Sequence, residues 1–293
     1  MTWRSGFVFV LLALLVAPAS APAGADQIGL DFSAYAYSGQ RLDISEQTRG
    51  NARDSAWHPQ GKKLFVVGRG TQKLLAYQAE EPWQLDDATL TGAFSLTDDL
   101  AVATGSNAHG LHFKDSGEKI WVMNRTQIHA FTLSTPWDVT TAEQTNHAPL
   151  HEQVRGLHSH GMTFKPDGSM LYVDDRVAGH IFAFELSTAW DVSTAALKAV
   201  LDIREQQEAV RGIAFIQDGR VMLLLDTARQ EVLQFHLDEA YDITTAEYVD
   251  AFSVADEARY PQGFSVGADA EAFYITDTAG QAVLKYVRED EAP

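Results

Sequence analysis

The chain has 293 residues, of which 45% are hydrophobic, with a formal net charge of −18 and no cysteine. So acidic a chain is unsuited to nonspecific binding of nucleic acid or anionic lipid, because both are negatively charged themselves. Without disulfides the fold must be held together by its apolar core, for which the composition provides enough residues.

The first 25 residues have the pattern of a secretory signal peptide. Arg4 precedes an apolar run at residues 7–16, and Ala23, Gly24 and Ala25 form a small-residue cleavage site. The apolar run is too short to span a bilayer. We therefore expect removal of residues 1–25, a single domain over residues 26–293, a periplasmic or secreted location and no insertion into a membrane.

From residue 54 onward the chain repeats itself. The sequences GLHFKDSGEKIWVMN, GMTFKPDGSMLYVDD, GIAFIQDGRVMLLLD and GFSVGADAEAFYITD follow one another at a constant step of 51 residues, and DSAWHPQGKKLFVVG begins 56 residues before the first. Each copy holds short β-rich runs separated by turn sequences such as PDG. Repeats of roughly 40 to 50 residues with four strands are typical of propeller blades. The sequence therefore predicts an all-β fold, a five-bladed β-propeller.

A second shared phrase follows the third predicted strand of three copies, as STPWDVTTA, STAWDVSTA and DEAYDITTA. We expect it in the hairpin between the third and fourth strands, where the aspartate can close an Asx turn and the preceding aromatic residue can cover the edge of the blade. The aspartates are Asp138, Asp191 and Asp242, and the aromatic residues are Trp137, Trp190 and Tyr241. Because the phrase is repeated, it specifies the fold and no chemistry.

The last copy has no fourth strand of its own, since the chain ends soon after Tyr286. The segment AYAYSGQRLDISEQ near the amino terminus resembles the fourth-strand segment ALKAVLDIREQQ. We therefore predict that residues 34–44 supply the outer strand of the last blade, which leaves no free sheet edge at the junction.

Runs such as MLYVDDRVAGHIFAFEL and AFYITDTAGQAVLKY resemble the bacterial YVTN and NHL-like β-propeller repeats, and the likeness covers residues 54–286. The resemblance implies a propeller. Proteins with such repeats are typically exported binding modules or assembly scaffolds and, less often, lyases and lactonases, so the resemblance implies no single activity.

Function in a repeat protein is expected where the copies differ. The residue before each innermost strand borders the central channel, at the end shared with the turns between strands two and three, which we call the top face. These ring residues are Arg53, His109, His160, Arg211 and Gln262. Ten of the 14 arginines fall in the predicted top-face loops. Because a guanidinium group matches carboxylate and phosphate, the ring predicts binding of an anion.

Internal pairing is the alternative, because an acid or amide follows four of the ring residues at a distance of 15 positions. The pairs would be His109 with Asn124, His160 with Asp175, Arg211 with Asp226, and Gln262 with Asp277. Such pairs would satisfy buried polar groups without a ligand. Since Gly68 stands opposite Arg53, we expect Arg53 to be the ring residue left free. The long connection LTDDLAVATGSNAHG should reshape the rim beside His109.

Two chemical alternatives use the same residues. His109, His158 and His160 could bind zinc or copper, although Arg53 and Arg211 would oppose a divalent cation. For catalysis there is no GxSxG motif, phosphate loop or cysteine nucleophile. The candidate general bases are His109 and His160, with the two arginines stabilising an anion formed by β-elimination or ring opening.

The sequence thus favours an exported binding module that holds an anionic small molecule, or an acidic segment of a protein partner, at the top-face mouth of the channel. The alternatives are a lyase or hydrolase that uses the same histidines and arginines, and a metal-binding propeller. No cofactor is predicted apart from the divalent metal of the last alternative.

Overall fold

The computed structural model of the chain describes Met1 and residues 28–96, 108–267 and 270–289. Twenty strands in these residues form five antiparallel sheets of four strands each. The five sheets are the blades of a propeller, so the predicted fold is confirmed. Among the described residues no helix is long and apolar enough to cross a membrane. The predicted signal peptide beyond Met1 and most of the long connection before His109 lie outside the described residues.

Each blade is a meander of four neighbouring strands. The first, innermost strands are β2 (Ala52–Trp57), β6 (Leu111–Phe113), β10 (Met162–Phe164), β14 (Val210–Ile216) and β18 (Pro261–Val266). The second strands are β3 (Lys63–Gly68), β7 (Lys119–Met123), β11 (Met170–Asp175), β15 (Val221–Asp226) and β19 (Ala272–Asp277). The third strands are β4 (Lys73–Gln78), β8 (Ile128–Leu133), β12 (His180–Leu186), β16 (Glu231–Leu237) and β20 (Ala282–Arg288). The outer strands are β5 (Thr89–Ser95), β9 (Ala142–Ala148), β13 (Ala195–Asp202), β17 (Ala246–Ser253) and β1 (Tyr35–Asp43).

We number the blades 1 to 5 from β2, so that blade 5 consists of β18, β19, β20 and β1. The helices among the described residues are short: α1 (Ser45–Thr48) and 3-10 turns at Phe32–Ala34, Val139–Thr141, Leu150–Glu152, Val192–Thr194, Gln217–Gly219 and Ile243–Thr245.

The amino-terminal strand closes the ring. β1 pairs antiparallel with β20, from Tyr35 opposite Arg288 to Asp43 opposite Ala282. Tyr35 also stacks on Phe273, with ring centroids 5.4 Å apart. The predicted closure by residues 34–44 is therefore confirmed, and β20 is not left as an unpaired edge at the junction.

The apolar core lies between the blades. Along β3, Leu64 and Val66 pack towards blade 5, whereas Phe65 and Val67 pack towards blade 2. This alternation follows from the two-residue period of a strand, and it explains why the second strands are apolar on both faces. Five such clusters, one between each pair of neighbouring blades, hold the propeller together.

The repeated phrase lies in the hairpins between third and fourth strands, as predicted. In each copy the aspartate Oδ1 accepts the N–H of the residue two positions on, at 3.0 Å. The aromatic residue has a positive φ of 62 to 66° in the three copies. Its ring lies over a glycine of the first hairpin, at Gly117, Gly168 or Gly219, where a Cβ would collide with the ring.

Trp83 is a fourth counterpart, with φ 66° and its ring over Gly61. Sequence comparison missed it because Gln84 follows Trp83 where the other copies have aspartate. The phrase therefore belongs to the scaffold at the end opposite the top face, which we call the bottom face.

Candidate functional site

The five ring residues lie side by side at the top of the channel, in the order of their blades. All five are buried, with exposed fractions of 8% for Arg53, 2% for His109, 4% for His160, 4% for Arg211 and 2% for Gln262. The structure thus brings together every ligand-binding residue predicted from the sequence. Their burial means that each polar atom requires a partner other than bulk water.

The two histidines form a parallel stack. The rings of His109 and His160 have centroids 3.9 Å apart and planes inclined by 7°. Burial, reinforced by the charges of Arg53 and other arginines, lowers the pKa of His109 to about 2. Burial and the neighbouring charges also lower the pKa of His160. Both rings are therefore neutral, and none of their four nitrogens has a hydrogen-bond partner among the described residues.

The two arginines of the ring converge on one neutral oxygen. Arg53 donates from Nη1 to Oε1 of Gln262 at 2.5 Å, and Arg211 donates from Nη1 to the same oxygen. The Nε atoms of both arginines are buried without a partner among the described residues. Arg211 also lies over the ring of Tyr260, 5.8 Å from its centroid. Burial and the positive charges nearby lower the pKa of each guanidinium to about 10.

More positive charge surrounds this pair. The positive charges of Arg69 and Arg125 lower the pKa of Arg53 and that of His109, and the charge of Arg176 lowers the pKa of Arg211. Of the ten arginines predicted for the top face, two form ion pairs among the described residues, Arg204 with Asp202 and Arg229 with Glu208. The other eight form none with a described residue. In a chain of net charge −18, a group of cations without ion-pair partners among the described residues is a local feature that favours anions.

The predicted pairs at a spacing of 15 residues are wrong. The side chains of Asn124, Asp175, Asp226 and Asp277 accept backbone N–H groups, and none bonds to its ring residue in the described structure. The expectation that Arg53 alone would be left free is therefore wrong, because neither Arg53 nor Arg211 pairs with a described side chain of its own blade. Both share Gln262.

Asp226 shows what these residues do instead. Its Oδ1 accepts the N–H groups of Ala228 and Arg229 in the turn after β15, at 2.8 and 3.1 Å. From the incoming loop, the N–H of Ala209 donates to Oδ1 at 3.2 Å and the N–H of Glu208 donates to Oδ2 at 2.6 Å. A carboxylate at the end of strand two reaches these nearby donors first, so it ties turn to loop through the backbone and does not pair with the ring side chain of its own blade.

Below the ring the inner strands come closest together. Four copies have glycine after the ring residue, at Gly110, Gly161, Gly212 and Gly263, and a Cβ at any of these positions would lie 3.0 Å or less from the neighbouring strand. Blade 1 has Asp54 at this level. Sequence analysis missed this layer, although one acid among four glycines at the same repeat position is a signal that could have revealed it.

The carboxylate of Asp54 bridges neighbouring strands. It accepts the N–H of Leu111 in blade 2 and that of Ser55, both at 2.9 Å. Burial raises the pKa of Asp54 to about 7, and burial raises that of Asp174 to a similar value. Beneath Asp54, a cavity of about 330 Å³ opens towards the bottom face, lined in part by Trp137 and Trp190. Its described lining includes the acidic residues Asp54 and Asp115 and no Arg or Lys, so this lower cavity is a poor place for an anion.

The histidines give no support to a metal site. His109 and His160 are parallel, so their nitrogen lone pairs do not converge on one point, and His158 is nearly perpendicular to His160 at 5.2 Å. Within the part of the chain that the structure describes, no three His, Cys, Asp or Glu side chains are grouped to hold a metal ion.

The chain has structural likeness to solved proteins but little sequence likeness. No family model matches it, and no curated protein is similar to it in sequence. A Lactobacillus plantarum protein of known structure is 12% identical over 80% of this chain and 67% of its own, with a TM-score of 0.50.

Two further structures have lower TM-scores. A functionally unknown protein of Desulfotomaculum acetoxidans is 10% identical, with a TM-score of 0.45, and covers 77% of this chain and 62% of its own. A Bacteroides uniformis protein provisionally named a 6-phosphogluconolactonase is 16% identical, with a TM-score of 0.46, and covers 77% of this chain and 63% of its own. This chain therefore spans less than two thirds of the length of both. At these identities the likeness extends to the propeller fold alone.

Proposed function

We propose that the protein is an exported binding module that holds the anionic group of a small molecule at the top-face mouth of the channel. The observation that carries the proposal is the convergence of Arg53 and Arg211, both buried, on a single neutral oxygen, without a carboxylate partner in the described structure. A buried cation without a counter-ion is unstable, and a bound anion would provide that counter-ion.

The histidines extend the proposed site. His109 and His160 are neutral, and their ring nitrogens have no partner among the residues that the structure describes, so each ring can donate one hydrogen bond and accept one. A ligand with an anionic end and nearby hydroxyl or carbonyl groups would use both kinds of residue. Because every ring residue is at most 8% exposed, a small anionic group fits this proposal better than a folded acidic surface of a partner protein.

Catalysis by the same residues has weaker support. A general base is most effective when its pKa lies near the working pH, and that of His109 is lowered to about 2. The lyase or hydrolase alternative would need a bound anion to raise the basicity of the pair. Turnover measured alongside binding distinguishes the two functions.

The test is a calorimetric screen of small carboxylates, sugar phosphates and inorganic phosphate against the wild-type protein and two variants, Arg53→Ala and Arg211→Ala. We expect each variant to lose about 1.5 to 3 kcal/mol of binding free energy, the range for hydrogen bonds to charged groups. The matched control is Arg204→Ala, which removes a top-face arginine that is already paired with Asp202. Equal affinities in all four proteins would disprove the proposal.

Export is the second part of the proposal, and it is supported by the signal-peptide pattern of residues 1–25. Expression of the full chain in a bacterial host, followed by fractionation and mass determination, should yield a periplasmic or secreted product that begins near Asp26. Recovery of the uncleaved chain in the cytoplasm would contradict it.

A further inference from the structure

We infer that the bound group is an oxyanion, a carboxylate or a phosphate, and that one of its oxygens replaces Oε1 of Gln262 between Arg53 and Arg211. Gln262 would then act as a built-in competitor for the site and determine its specificity. This inference rests on the proposed function and makes it more specific, since it names the atom position that the ligand occupies.

The geometry at Gln262 is that of an acceptor position between two donors. Arg53 and Arg211 come from blades on either side of blade 5, and each directs an Nη1 to the same oxygen. The side-chain amide must point its oxygen at them, because the opposite orientation would direct its NH2 group at two guanidinium groups. The Nε2 of Gln262 donates to the carbonyl oxygen of Pro261, its own neighbour, at 3.0 Å.

An amide oxygen is a weak partner for this position. It carries a partial charge, whereas each guanidinium is a full cation and each lies in the field of the other. The guanidinium groups are already charged, and an anionic oxygen would add the attraction between opposite charges to each hydrogen bond, so a carboxylate or phosphate oxygen would be favoured over the amide.

The unused hydrogen-bonding capacity of the ring also indicates an oxyanion. The Nε atoms of Arg53 and Arg211 and the ring nitrogens of His109 and His160 are buried and have no hydrogen-bond partner within the described ranges of the chain. A single-atom anion could meet the two Nη1 groups but would leave these other groups unsatisfied. A carboxylate or phosphate has further oxygens to accept hydrogen bonds from the Arg and His N–H groups around the same point.

The experiment introduces a negative charge at residue 262 of the protein, in place of the anionic group of the ligand. In Gln262→Glu the carboxylate would occupy the site from within, at the high effective concentration of an attached group. We expect this variant to bind sodium phosphate and sodium succinate on the order of 100-fold more weakly than wild type and to melt at a higher temperature. Gln262→Ala removes the competitor and should bind both at least as tightly as wild type. Gln60→Glu adds the same charge to an exposed bottom-face turn and should change neither quantity.

The arms of the experiment separate the sources of the oxyanion. Phosphate and succinate report on the two oxyanion chemistries, and sodium chloride at matched ionic strength reports on binding of a single-atom anion. Tighter binding of chloride than of either oxyanion would overturn the inference.

The other outcomes are equally distinct. If wild type binds an oxyanion and Gln262→Glu binds it equally well, the inference is wrong and the proposed function stands. If Gln262→Ala loses as much affinity as Gln262→Glu, Gln262 is a ligand contact and not a competitor, which also overturns the inference. If wild type binds no anion of the screen, the proposed function fails together with it.

Discussion

The two ends of the propeller differ in how far their residues repeat from blade to blade. At the bottom face blades 1 to 4 agree: Trp83, Trp137, Trp190 and Tyr241 each lie over a glycine of the first hairpin. At the top face the copies differ in the ring residues, and buried nitrogen atoms of Arg53, His109, His160 and Arg211 have no partner among the described residues.

This contrast indicates which residues of a repeat protein are structural. A residue type that recurs in every blade satisfies a requirement that every blade shares, such as closing a hairpin or tying a turn to a loop. A residue that occurs in one or two blades, in a place where its polar atoms remain unsatisfied, meets no such requirement. The top-face ring is therefore the place where a ligand would complete the structure.

The largest expected effect concerns the frame of the top face. Asp226→Ala removes the acceptor for four backbone N–H groups and should lower the free energy of unfolding by about 4 kcal/mol. Arg211→Ala should leave it nearly unchanged, because the two side chains are not paired. Urea unfolding of both variants measures this. A similar loss of stability in the Asp226→Ala and Arg211→Ala variants would instead support the pairing of Arg211 with Asp226 that the sequence predicted.

A smaller loss is expected at the bottom face. Trp190 stacks on Trp121 at 5.5 Å and packs against Phe164 in the core between blades 2 and 3. Because Trp190 is half-buried, Trp190→Ala should cost about 2 kcal/mol of stability, with no change in the affinity for any anion found by the screen. Loss of anion binding in a variant that melts normally would show that the bottom face holds the ligand.

The last effect depends on pH and is expected at Asp54, between the two ends of the channel. Its pKa is raised from 3.8 to about 7 in the folded chain, so its protonated form stabilises the fold and this stability is lost as the pH rises from about 4 to 7. Asp54→Asn cannot titrate. The stability difference between wild type and this variant should therefore shift by about 1 kcal/mol per pH unit, to the disadvantage of wild type at higher pH.

Urea unfolding of both proteins at pH 5, 6, 7 and 8 tests this prediction. The buried histidines, whose lowered pKa values make acid destabilising, are common to both chains and cancel in the difference. If the free energies of unfolding of the two proteins change in parallel with pH, the pKa of Asp54 is not raised in the folded chain.

The repeat arrangement was predictable from the sequence because it depends on local rules. The 51-residue step, the turn sequences and the likeness between residues 34–44 and other outer strands depend on strand periodicity and turn chemistry, which act over a few residues. The Asx turns at Asp138, Asp191 and Asp242 and the identity of the ring residues were predictable for the same reason.

The partners of the ring residues were decided by the tertiary structure. The sequence predicted partners within a blade, such as Asp226 for Arg211, but Asp226 binds backbone donors a few residues away. Arg211 instead shares Gln262 with Arg53, 209 residues from Gln262 in the chain, because ring closure brings blade 1 beside blade 5. A repeat pattern determines what one blade looks like, whereas contacts between blades depend on how all five blades meet around one axis.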